Sequence, residues 1–67
     1  MHTQTKRELG VEILRQAFTD RPRVAIAEIV ATGRARDVSR RTLTRAARHL
    51  GIVEVHNGPF GAFWEKP

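Results

Sequence analysis

The stretch SRRTLTRAARHL, residues 39–50, decides how the rest of the chain is read. It holds four arginines, Arg40, Arg41, Arg45 and Arg48, among small and apolar side chains. At about 100° per residue, Arg40, Thr44, Arg48, Arg41 and Arg45 fall within an arc of roughly 140°. Leu43, Leu50, Ala46 and Ala47 occupy a separate arc of roughly 100°, with Thr42 and His49 between the two on the far flank. Charge and apolar surface are segregated, and the small inner residues let such a helix sit close on its neighbours. Ser39 is a good N-cap, Val38 before it is placed to staple onto Leu43, and Gly51 is a C-terminal stop. These signals predict a helix over about 39–50.

An arginine-rich surface helix that is merely solvated gains from Glu placed four residues from Arg, as intrahelical pairs. Residues 38–53 contain no acidic side chain. Four unneutralised arginines on one face repel each other with no structural return, and a polyanion is the partner that suits them. Free N–H groups at residues 40–42 and the helix dipole also favour a phosphate at the helix start. Arg40, Arg41, Thr44 and Arg45, with Ser39 at the cap, are therefore candidate groove contacts, and Arg48 a candidate phosphate contact.

Upstream, a first helix is expected over about 5–19, with Leu9, Val11, Ile13, Leu14, Ala17 and Phe18 on one broad side. Glu8, Glu12, Arg15 and Gln16 take the other side, and Gly10 weakens the helix near its start. The DRPR stretch at 20–23 ends it, because a residue preceding proline disfavours the α region. A second helix is expected over about 25–35, where Ile26, Ile29, Val30 and Gly33 share a face. Gly33 lies near its end, and Asp37 reads as a turn residue.

After Gly51 the period changes. IVEVH alternates Val53 and Val55 against Glu54 and His56, NGPFG is dense in turn residues, and AFWEK reads as a second strand. A hairpin over about 52–65 follows. Three helices and then a hairpin make a mainly α chain with a small β-hairpin, the three-helix winged helix-turn-helix. A lone hairpin is only marginally stable, so Val53, Val55, Phe63 and Trp64 are expected to pack back on the helices. Core packing is favoured over base stacking for the aromatic residues, and Phe60 in the turn is left open between core and wing tip.

The chain has 67 residues and reads as a single domain over 1–67. Its formal net charge of +5 comes from twelve Lys and Arg against seven Asp and Glu, with a sequence pI near 11.4. Ten of the twelve are arginines, whose planar forks grip phosphate and guanine edges bidentately. The absence of cysteine argues against disulfides and thiolate zinc, and a cytoplasmic location is expected. No apolar run approaches the ~20 residues of a membrane span. There is no P-loop or GxGxxG, Ser39 is the only serine and is explained by capping, and tyrosine is absent. His49 and His56 lie on different elements without cysteine support. No enzyme activity, catalytic residue, metal, cofactor or small-molecule substrate is therefore expected.

The segment DVSRRTLTRAARHLGIVEVHNGPFGAFWEKP resembles the C-terminal winged-helix segment of RepA-like replication ATPases and phage primase-helicases. The resemblance is carried by Ser39 to Gly51, Ile52 to Val55, the Asn57 to Gly61 turn, and Phe63 to Pro67. No ATPase or primase precedes it, and the chain opens on Met1, so a free-standing small protein is expected. In that setting the chain is also similar to small phage excisionases and repressors. The resemblance implies double-stranded DNA as partner and a role as phage regulator, excisionase or replication accessory.

Three further residues, His56 and Asn57 at the wing and Lys66 after it, are candidate backbone contacts. For His56, an idle loop histidine is the alternative. The broad apolar side of the first helix either packs wholly inside or leaves a homodimer contact, which would suit a two-fold DNA site. Two functions stay open. One is a non-catalytic double-stranded DNA binder that places helix 39–50 in the major groove and the 56–61 wing on the backbone. The other is a winged-helix protein-interaction module or inhibitor docking on a host protein.

Overall fold

The structure, a computed structural model, describes residues 4–56 and 58–67, with Phe60 described by its backbone alone. The elements run α1 (Lys6–Ala17), β1 (Arg23–Ala25), α2 (Ile26–Ala35), α3 (Arg40–His49), β2 (Val53–His56), a 3-10 turn (Gly58–Phe60) and β3 (Ala62–Glu65). The three strands form one antiparallel sheet in the order β1-β3-β2. This is the expected winged helix-turn-helix, with one strand more than the sequence reading supplied.

The additional strand is β1. Its three residues follow Pro22 and run straight into Ile26 of α2, too few to show a period of two. Pairing identifies it: Arg23, Val24 and Ala25 stand opposite Glu65, Trp64 and Phe63 of β3. Lys66 N–H donates to the Pro22 carbonyl at 2.9 Å and extends the ladder by one bond. The hairpin is thereby tied to the start of α2.

Thr5 caps α1, its hydroxyl accepting from Glu8 N–H at 3.1 Å. The core takes Ile13, Leu14 and Phe18 from α1, Val24 from β1, Ile26 and Ile29 from α2, and Val38 from the turn. Leu43, Ala46 and Ala47 of α3 and Trp64 of β3 complete it. Leu9, Val11 and Ala17 are partly buried against the same core. The broad apolar side of α1 is therefore largely taken up inside the domain.

The expectation that Val53, Val55 and Phe63 pack on the helices is corrected by the register. Val53, Val55, Phe63 and Glu65 alternate with Glu54, His56, Ala62 and Trp64, and opposite residues share a face. Trp64 is 4% exposed in the core, and Ala62 and Ile52 pack against that core. Val53, 54% exposed, lies with Val55 and Phe63 on the face turned away from the helices. With a period of two, one parity goes inward. Ile52 and Trp64 take that parity, so Glu54 follows them at the open edge of β2.

The turn between α2 and α3 is a Schellman closure. Val38 N–H reaches the Gly33 carbonyl at 2.7 Å and Asp37 N–H reaches that of Arg34 at 3.2 Å. Asp37 takes the left-handed conformation at φ 59° that this closure requires, and aspartate tolerates it. The same closure ends α3, where Gly51 at φ 76° is followed by Ile52 N–H donating to the Ala47 carbonyl at 2.9 Å.

Gly33 is not a helix stop. It sits inside α2 under α3, where a Cβ would lie 2.6 Å from Leu43 Cδ1 and 2.9 Å from the Val38 carbonyl oxygen. Gly10 is also buried, against α3, but a Cβ there would meet Thr42 Cγ2 at an ordinary 3.5 Å. Among the described residues, no helix is long and apolar enough to cross a membrane.

The two glycines predict opposite outcomes. Gly33→Ala overpacks the turn at a cost of about 1–3 kcal/mol, outweighing a helix-propensity gain of ~1 kcal/mol. Gly10→Ala keeps that gain and stabilises by about 0.5–1 kcal/mol. Urea denaturation of both variants checks the pair. A Gly33→Ala domain as stable as Gly10→Ala would contradict the packing described.

Candidate nucleic-acid interface

Helix α3 is positioned by its inner face. Leu43 has no exposed surface, and Ala46 and Ala47 are each 2% exposed, so α3 lies close under α1 and α2. Val38 at the residue before the cap is buried as well, as the staple onto Leu43 requires. With that face fixed, the opposite one must point outward.

The outer face is the one read from the sequence. Arg40, Arg41, Thr44, Arg45 and Arg48 together line one shallow concavity. The four arginines are exposed and Thr44 is half-buried between them. Among the described residues none of the four pairs with a carboxylate, while four of the acids are paired elsewhere. Asp37 meets Lys6 at 3.1 Å, Glu65 meets Arg23 at 3.3 Å, and Glu54 meets His56 at 2.8 Å. Glu28 takes both arms of Arg21, at 2.8 and 3.1 Å. The hydrogen bond from Arg21 holds the Glu28 carboxyl below its ordinary range, and the guanidinium is raised in turn. All four pairs lie off the α3 face, which keeps its positive charge undiluted.

The start of α3 is more restricted than the sequence implied. Ser39 Oγ accepts from Thr42 N–H at 3.2 Å and lies 3.0 Å from Thr42 Oγ1. The donors left open at this end are the N–H groups of Arg40 and Arg41, which have no partner among the described residues. Thr44 Oγ1 donates to the Arg40 carbonyl at 2.9 Å, so it presents its methyl group and an acceptor oxygen rather than its proton.

Arg34 joins the site although the sequence reading passed over it. From the last turn of α2 it lines a groove with Arg40, Gly61 and Ala62, and another with Asp37, Val38, Ser39 and Arg40. Arg36, the C-cap of α2, is exposed nearby. The signal was available in the run GRARDVSRR, which carries arginine unbroken by more than three other residues across the turn.

The wing candidates are more dispersed. His56 is exposed on β2 and engaged with Glu54. Asn57 lies outside the described residues, and so does His2. Lys66 lines a groove with Arg15, Phe18, Leu50 and Ile52, at the C-terminal end of α3 rather than beside Arg40. A helix of ten residues is about 15 Å long, so Lys66 and the Arg40 end are well separated. His49 lies on the α1 flank of α3, in a shallow groove with Arg7, Glu8 and Val11. No group of three His, Cys, Asp or Glu side chains that could hold a metal ion occurs among the described residues.

No protein family, no curated protein and no solved structure matches this chain.

The cap makes a prediction of its own. Ser39→Ala leaves Thr42 N–H uncapped and should cost about 1 kcal/mol of stability, while Ser39→Asp should retain most of it. Thermal denaturation of both checks this, and equal stability of Ser39→Ala and the parent would contradict it.

Proposed function

We propose that the protein is a non-catalytic double-stranded DNA binder that lays α3 in the major groove. The observation that carries this reading is the α3 outer face: four exposed arginines around Thr44, unpaired among the described residues, on a helix whose inner face is locked. In a helix-turn-helix the second helix meets base edges through its N-terminal residues while neighbouring elements hold the backbone. Arg40, Arg41 and Arg45 are placed for base edges, and Arg48 and Arg34 for phosphates. On this reading its role is that of a regulator, excisionase or replication accessory of phage type. The alternative, a winged-helix module that docks on another protein, draws on the exposed Val53 and needs no duplex.

Salt separates the two readings. With four or five phosphates neutralised, the log–log slope of duplex affinity against salt should be about −4. Fluorescence anisotropy with a labelled duplex pool measures it, and no binding to any duplex at low salt would sink the DNA reading.

Two substitutions divide the face. Arg45→Ala should cost about 1–3 kcal/mol and relax preference at one base pair. Arg48→Ala should weaken all sequences alike and reduce the salt slope by about one. Selection of bound sequences from random duplexes checks this, and unchanged affinity in both variants would contradict the assignment.

A further inference from the structure

Among the described residues, the large apolar side chain left exposed is Val53, on β2 and not on α1. β2 pairs only with β3, so its other side is a bare strand edge. No backbone hydrogen bond reaches that edge from elsewhere in the described residues. The edge is also sterically open, with the Glu54 and His56 side chains 46% and 77% exposed.

An inward-parity charge in an edge strand normally discourages strand addition. Here Glu54 is followed two residues later, on the same face, by His56, and the spacing makes the edge selective. An antiparallel two-fold pairing centred on Glu54 sets two carboxylates opposite each other, which is repulsive. Moving the centre to Val55 sets each Glu54 opposite the partner's His56, and Val55 opposite the partner's Val55. On the outer face the row Ala25–Phe63–Val55 then continues into its own copy as one apolar strip.

We propose that β2 is a self-pairing edge whose occupant is a second copy of this chain, joined antiparallel with Val55 on the two-fold axis. Complementarity between the Glu54 carboxylate, an acceptor, and the His56 imidazole N–H, a donor, fixes the register, and Val55 with Phe63 behind it supplies the apolar contact. Three paired residues of the four-residue strand bury less than the ~1,200 Å² typical of stable interfaces, so association of the free protein is weak and concentration-dependent. The proposal is independent of DNA binding, and its test contains no DNA.

The chain has no cysteine, so V55C and V53C each introduce a single thiol. In the proposed register the two copies of position 55 stand about 4.5–5.5 Å apart at Cα, within disulfide reach. Copies of position 53 are offset by about 13 Å along the ladder. Mild oxidation at high protein concentration should therefore crosslink V55C to a dimer while V53C, though the more exposed, remains mainly monomeric. Crosslinking of V53C as fast as V55C, or of neither, overturns the proposal. Sedimentation equilibrium supplies the second arm. E54H removes both symmetry-related Glu54–His56 pairs and should weaken association roughly fivefold, the scale of two cross-strand pairs at about 0.5 kcal/mol each, and E54H/H56E should restore it, because carboxylate and imidazole still face each other. A double variant no better than the single one also overturns the register.

Discussion

Leu43 occupies the space that a side chain on Gly33 would need, and it does so without any surface exposed to solvent. That contact brings α2 and α3 together at the turn, and the Val38 backbone lies just as near. The close approach fixes the distance between the helices, while the Schellman closure through Asp37 fixes the direction in which α3 leaves. The position of every residue on α3 follows from these two constraints. A larger residue at 33 or a smaller one at 43 would disturb the orientation of the arginine face without touching an arginine.

The charge pattern builds on that geometry. A small domain with a net charge of +5 could have spread its cations evenly. Instead, acidic side chains are paired with Lys6, Arg21, Arg23 and His56, and the α3 face stands apart from them. These are exposed pairs, each contributing little to stability. Their more important effect is on the field, because they cancel charge elsewhere and leave one concentrated positive surface. The sheet carries two acids, Glu54 beside His56 and Glu65 beside Arg23, and is a weaker electrostatic match to a phosphate backbone than α3.

The third helix was legible because it carries its own punctuation, and the first two by apolar spacing alone. Ser39 caps α3, Gly51 stops it, and its inner face Leu43, Ala46 and Ala47 recurs at helical spacing. The α3 site residues were legible for the same reason, since a helix of known phase places its side chains by arithmetic. β1 was not legible, because a three-residue strand has no measurable period and its identity depends on a partner forty residues away. The inward face of the hairpin was misread because Val53 and Val55 are the more apolar parity of β2. Trp64, on the central strand, decides the parity, and only the register shows that it shares a face with Glu54. Arg34 was missed because its neighbourhood with Arg40 is made by the turn and not by either helix alone.

The central claim concerns one surface, the outer face of α3 with Arg34 beside it. Amide chemical-shift mapping of the labelled protein during titration with a duplex tests that surface directly. The account predicts the largest shifts over residues 39–48 and at Arg34, with the Val53, Val55 and Phe63 face little affected. Shifts centred on that sheet face, with α3 unmoved, would contradict it.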